Sequence, residues 1–310
     1  MLAEWRAPTS LKRFCANVYK WRRVYILFIP VAAYYIIFHY LPMYGAIIAF
    51  KNYTPASGFA GAKWIGLSNF RSFLKSYYFL RLIKNTLMIS LSSIVFGFPA
   101  PILLALLLNE VRSSAYKRIV QTVTYFPHFL SIMVVCGMIH NFFASGGVVN
   151  DIIVKLGGTR QDFLSNPAAF RPLYVGSDIW QGIGWGSIVY LAALSGIDPT
   201  LYEAAKIDGA GRFMQTLHIT LPGILPTIIV MFILRVGSMM SVGYEKIILL
   251  YNDLTMETAD VISSFVYRKG LLNADYSYSS AVGLFNSIIN FALVVTANRL
   301  SRMIRQTSLW

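Results

Sequence analysis

Two charged residues, Asp178 and Arg235, stand inside stretches that are otherwise apolar. A charge at membrane depth is expensive, so it marks a partner, a water-filled path or a ligand. Trp180, Gln181 and Trp185 follow Asp178, and Tyr244 and Glu245 close the apolar run that holds Arg235. Aromatic faces beside amide and acid groups suit a sugar ring, which presents C–H patches next to hydroxyls. The plainer alternatives are that the tryptophans anchor a membrane interface and that Asp178 and Arg235 pair with each other. Asp178, Trp180, Gln181, Arg235, Tyr244 and Glu245 are the candidates for lining a solute path.

A second concentration of chemistry lies between two apolar stretches, in "YEAAKIDGAGRFMQTLHITLP" at 202–222. It carries Glu203, Lys206, Asp208, Arg212 and His218. Asp198-Pro199 just before it is a good helix start, because Asp is a favoured N-cap and Pro suits the first helical position. Glu203 and Asp208 come early, where acids meet the positive end of the helix dipole. Ile207, Ala210, Met214, Leu217 and Leu221 recur at three and four, an amphipathic stripe. Gly209 and Gly211 interrupt it, and a glycine in mid-helix costs about 1 kcal/mol against alanine. The pattern therefore predicts two short helices joined by a turn, ended by Pro222. Ala204, Ala205 and Gly209 would leave room for another surface to approach.

The elements that must position these groups are membrane helices. The 310 residues are 56% hydrophobic and 13% charged, about half the charged share of an ordinary soluble domain. Crossing the hydrocarbon takes about 20 mostly apolar residues, and six stretches qualify, at 24–49, 86–108, 119–143, 172–194, 222–244 and 281–298. The first is too long and aromatic for a cleavable signal peptide. Gly97, Pro99 and Pro101 should kink the second. The Gly182, Gly184 and Gly186 series should let the fourth pack closely or bend. The expected fold class is thus an all-α integral membrane protein with six transmembrane helices. It forms a single domain over 1–310, with an N-terminal tail at 1–23 and the charged loop at 198–222.

The net charge of +14 clusters beside apolar runs, which fits anionic lipid headgroups better than nucleic acid. Basic residues in the tail, Arg112, Lys117 and Arg118 in the 109–118 loop, Lys206 and Arg212, and Arg299, Arg302 and Arg305 all fall on one side of a six-span topology. The positive-inside rule puts that side, with both termini, in the cytoplasm. The 50–85 connection is basic as well but lies outside; part of it, "SNFRSFLKSYYFLRLIKN", reads as an amphipathic helix at the interface. The segments 144–171 and 245–280 are the longer outer loops, with Asp151, Asp162, Asp253, Glu257, Asp260 and Asp275 in outer positions.

Enzyme chemistry is missing from the pattern. There is no GxxxxGK[ST] phosphate loop for ATP. His39, His128, His140 and His218 lie apart and form no metal-binding motif, and Cys15 and Cys136 read as unpaired thiols. No nucleophile elbow or paired catalytic carboxylates occur, so neither a metal site nor a catalytic residue is expected.

The 202–222 stretch resembles the EAA loop of permease subunits in binding-protein-dependent ABC importers. Glu203-Ala204-Ala205, Asp208-Gly209-Ala210 and Ile219-Thr220-Leu221-Pro222 stand at the family spacing. Thr216 occupies a position where Phe is common. "WQGIGWGSIVYLAALSGID" and "YEKIILLYNDLTMETADVISSFVYRKGL" are similar to the carbohydrate branch, near the polysaccharide and oligosaccharide permeases of Gram-positive bacteria. The resemblance runs from about Trp21 to Arg299. It implies a type I importer permease in the bacterial cytoplasmic membrane that moves a sugar inward by alternating access. It implies a second homologous permease, two ATPase subunits that hold ATP and magnesium, and an extracellular solute-binding protein. The chain itself would need no cofactor. Glu203, Ala204, Ala205, Asp208, Gly209 and Ala210 would couple it to an ATPase groove. An ion-gradient transporter is the rival reading; it calls for symmetric halves and coupling carboxylates, and Asp178 is the one plausible candidate.

Overall fold

The computed structural model describes residues 17–305; Cys15 and most of the basic tail lie outside the described residues. The first helix, α1 (Arg22–Tyr35), continues through a π-helical turn at Ile36–Tyr40 into a 3-10 stretch at Tyr44–Phe50. A two-residue antiparallel ribbon, Lys51–Asn52 with Lys63–Trp64, follows it. Then come α2 (Ser68–Leu74), α3 (Phe79–Ser92) and α4 (Pro99–Glu110), the last two joined by a π turn at Ser93–Gly97.

Proline explains a recurrent device. A π turn precedes Pro42, Pro99 and Pro222 alike, at Ile36–Tyr40, Ser93–Gly97 and Thr216–Thr220. Proline within a helix lacks an N–H and collides with the carbonyl four residues back; a π turn widens the backbone there and absorbs both defects. This corrects the expectation that Pro222 ends the loop element. The Leu221 N–H reaches back to the Thr216 carbonyl, and the helix runs on from the loop into the fifth crossing.

The 68–85 stretch is likewise not one interfacial helix. α2 stops at Leu74, and α3 already belongs to the second crossing, which begins at Phe79 rather than at 86. Arg81 can sit so deep because its Nη2 lies 3.4 Å from the Asp260 carboxylate.

The expected helix at 119–143 is broken. α5 (Ser114–Tyr125) gives way to a 3-10 turn at Phe126–Phe129 around Pro127. Leu130 is extended with ψ 137°, and α6 (Ile132–Phe143) restarts with the Ser131 hydroxyl accepting from the Val134 N–H at 3.3 Å. The segment that is long and apolar enough to cross is Ile132–Lys155, which includes α7 (Val148–Lys155). α8 (Pro167–Ser195) takes the place of the expected fourth crossing and is long enough for it: 29 residues make about 44 Å at 1.5 Å per residue. Among the described residues five helices are long and apolar enough to cross a membrane, and α8, made more polar by Asp178, Gln181 and its glycines, is the sixth long one.

The 195–221 connection forms α9 (Pro199–Ile207) and α10 (Arg212–Gln215), and α11 (Leu221–Gly237) is the fifth crossing. The 245–280 segment is not an outer loop in any loose sense. It folds into α12 (Tyr244–Leu250), α13 (Met256–Ala259) and α14 (Ile262–Tyr267) before α15 (Tyr276–Arg305). These short helices enter the core: Ile247, Leu250, Ala259 and Val261 pack with Ile89, Val135 and Tyr174. Asp260, expected among solvent-facing acids, is fully buried. Its burial is tolerated because the Arg268 guanidinium donates to both carboxylate oxygens at 2.8 and 2.6 Å and the Ser264 hydroxyl donates at 2.7 Å. A second cluster, Ile102, Ala105, Tyr190, Leu194 and Ile224, knits α4, α8 and α11 at the opposite end.

Candidate functional site

The charged hairpin forms as its sequence dictates. Asp198 caps α9: its Oδ1 accepts from the Thr200 N–H at 2.9 Å. That backbone bond, then the one with the Thr200 side chain, holds the Asp198 carboxyl below its ordinary range. α9 ends in a turn whose pivot is Gly209, at φ +79°, a left-handed conformation that glycine adopts freely. The Ala210 N–H donates to the Ala205 carbonyl at 2.8 Å and the Gly209 N–H to the Lys206 carbonyl at 3.1 Å. The buried Gln215 closes the turn from the far side, donating from Nε2 to the Ala210 carbonyl at 2.7 Å. Tyr202 and Thr220 share a hydroxyl bond of 3.0 Å across the hairpin, and Arg212 pairs with Glu110 at the end of α4 at 3.1 Å.

The face so built is apolar and uncovered. Ile207 is 87% and Phe213 78% exposed, and Glu203, Ala204 and Asp208 of the same hairpin are exposed as well. Glu203 makes no ion pair among the described residues. Ile207, one residue of the amphipathic stripe, is thus left uncovered by the rest of the chain. An exposed apolar patch ringed by charge marks a partner surface.

A cavity of about 400 Å³ brings together five of the six path candidates: Asp178, Gln181, Arg235, Tyr244 and Glu245. Trp180 lies elsewhere, in an apolar groove with Val135, Phe142 and Leu173. Trp185 stacks on the His128 ring at 4.5 Å and 3°. Gln181 has a structural task as well, donating from Nε2 to the Leu130 carbonyl at 3.0 Å, which the break between α5 and α6 leaves without a helical partner. The glycine series divides in the same way. A Cβ on Gly184 would lie 2.1 Å from the Thr124 carbonyl oxygen of α5, whereas one on Gly182 would meet nothing within 4 Å.

Asp178 and Arg235 do meet, and a third residue joins them. Arg235 Nη2 is 3.8 Å from Asp178 Oδ2, and Lys246 Nζ is 3.7 Å from Asp178 Oδ1. Lys246 is buried; its Nζ donates to the Tyr174 carbonyl at 3.3 Å and lies 4.9 Å from the Tyr174 ring centroid. Sequence reasoning missed Lys246 because it sits in a segment that reads as a loop. Its one visible signal is its place directly before the apolar run Ile247–Leu250. Asp178 thus stands between two cations, a poor arrangement for a carboxylate that must take up and release a coupling ion.

Comparison with known proteins adds independent findings. The family described as "Binding-protein-dependent transport system inner membrane component" matches residues 97–306. The chain is 46% identical over 292 residues to Protein LplB of Bacillus subtilis (strain 168), spanning 94% of this chain and 91% of that one. It is 43% identical over 293 residues to the polygalacturonan/rhamnogalacturonan transport system permease protein YteP of the same organism, with the same coverage of 94% and 91%. Among solved structures it resembles a bacterial alginate ABC transporter in complex with an alginate pentasaccharide-bound periplasmic protein. There the TM-score is 0.89 at 43% identity, covering 96% of this chain and 100% of that chain.

Proposed function

The chain belongs to the family of binding-protein-dependent transport system inner membrane components, and from that premise we propose that it carries an oligosaccharide inward across the bacterial cytoplasmic membrane. It is a multi-pass permease subunit of an ABC importer and not itself an enzyme; ATP hydrolysis belongs to a separate subunit. The observation that carries the reading is the hairpin. A left-handed Gly209 turn presents exposed Ile207, Phe213 and Glu203 where a coupling element must meet its motor. Both termini and the hairpin lie on the cytoplasmic side, as the basic residues of the flanking loops favour. The working assembly includes a second permease, two ATPase subunits holding ATP and magnesium, and an extracellular solute-binding protein. Residues 203–205 and 208–210 seat the hairpin in an ATPase groove. Asp178, Gln181, Arg235, Tyr244 and Glu245 line the solute path.

Sugar as cargo is supported by relatives named for polygalacturonan, rhamnogalacturonan and alginate, and by a cavity of the right polarity. Four serines, an amide, two tyrosines, two acids and two basic residues line it, while Ile89, Ile94 and Met239 supply apolar wall. The test is uptake by the whole complex in vesicles. Oligosaccharide-loaded binding protein outside and ATP inside should drive accumulation and raise hydrolysis. No response to any oligosaccharide, together with a response to an ion gradient, would contradict the proposal and favour secondary transport.

A further inference from the structure

The cavity described above and a second groove of about 340 Å³, which runs along Gly182, Gly186 and Tyr190, share three residues: Asp178, Arg235 and Ser238. The acid–base group therefore lines both of two adjoining spaces, at the boundary they share.

The two cations at this boundary are not equivalent. Lys246 has a side chain only 6% exposed and is committed to Asp178, the Tyr174 carbonyl and the Tyr174 ring. Arg235 is 43% exposed and its guanidinium donates no hydrogen bond among the described residues. Its 3.8 Å approach to Asp178 is too long for one. A guanidinium carries five donors in a planar fork that matches a carboxylate. Asp178 can release Arg235 without being left as an uncompensated charge, because Lys246 stays with it. Glu245, the other acid of the cavity, is exposed and forms no ion pair among the described residues.

We propose that Arg235 reads a carboxylate on the transported sugar, exchanging Asp178 for the solute, so that the cargo is an acidic oligosaccharide such as an oligouronide. The inference rests on the oligosaccharide reading above and narrows it. Charge pairs are conserved through the exchange: Asp178 with Lys246, Arg235 with the uronate. A hydrogen-bonded charge pair of this kind corresponds to roughly a tenfold to hundredfold preference for the acid.

The experiment uses the purified complex of both permeases and the ATPase subunits, without binding protein, so that the latter's own selectivity stays out of the readout. The probes are a uronic acid trimer and its carboxyl-reduced, neutral counterpart, titrated by calorimetry. Wild type should bind the acidic trimer at least tenfold more tightly. Arg235→Gln should erase the preference, and Arg235→Lys, which keeps a point charge but loses the fork, should retain part of it. Should Arg235→Gln fail to assemble, the Arg235→Lys result decides, together with a wild-type preference that shrinks as salt is raised. Equal binding of the two trimers, an undiminished preference in Arg235→Gln or Arg235→Lys, or no binding of either trimer would overturn the proposal. The oligosaccharide reading is judged separately, by whether oligosaccharide-loaded binding protein stimulates hydrolysis in the wild-type complex.

Discussion

Replacing Gly209 with valine separates backbone conformation from every other property of the hairpin. The residue sits at φ +79°, and a Cβ built there would meet nothing within 4 Å. No clash arises, so the whole cost is conformational. An L-residue in the left-handed region pays about 1–2 kcal/mol, and a β-branched side chain lies at or beyond the upper end. That shifts the population of the turn roughly 5- to 30-fold, with the bonds from Ala210 to Ala205 and from Gly209 to Lys206 at stake. Insertion into the membrane should be unaffected, because the turn lies between crossings. Asparagine tolerates the left-handed region and serves as the control. In the purified complex, Gly209→Val should lose substrate-stimulated ATP hydrolysis, Gly209→Ala should be intermediate and Gly209→Asn close to wild type. ATPase stoichiometry is read on gels and hydrolysis with and without loaded binding protein. Wild-type stimulation in the valine variant, or equal damage from valine and asparagine, would show that coupling does not depend on the left-handed turn.

Other perturbations test other parts. Glu203→Lys reverses the charge of the proposed docking face and should weaken ATPase retention or release hydrolysis from control by substrate; normal coupled uptake would remove Glu203 from its role. Gly184→Ala forces a Cβ against the Thr124 carbonyl at 2.1 Å and should cost about 1–3 kcal/mol or more of overpacking. It would be seen as a lowered melting temperature of the complex, while Gly182→Ala changes little. Asp260→Asn leaves Arg268 and Arg81 without a buried counter-charge. Because those side chains remain 21% and 24% exposed, the expected loss is about 3 kcal/mol, the low end for a broken buried pair, and an unchanged melting temperature would contradict the burial.

The hairpin was legible in the sequence because its determinants are local. Asp198 and Pro199 start a helix, and Gly209 supplies a conformation that other residues resist. The crossings were legible wherever apolar length is uninterrupted. What escaped depends on partners distant in sequence. Arg81 and Asp260 each look like surface charges until they are brought together, and that pairing moved the start of the second crossing and pulled the 245–280 segment into the core. Lys246 escaped for the same reason. Pro222 misled in the other direction: it breaks an α-helix, yet the π turn before it lets the chain continue. At 119–143 the apolar composition was right, but Pro127 and the extended Leu130 divide the segment. Of the path candidates, hydropathy could flag Asp178 and Arg235, but only the fold separates Gln181, which faces the cavity, from Trp180, which does not.

The hairpin is the surface we propose to meet the motor. A photo-reactive amino acid placed at Ile207, which is 87% exposed on the hairpin, is compared with one at Leu156, which is 83% exposed at the end of α7. Illumination of the assembled complex with binding protein present should link position 207 to an ATPase subunit and leave position 156 free of any such link. A link from position 156 to the ATPase, with none from position 207, would contradict both the docking role of the hairpin and the orientation of the chain in the membrane.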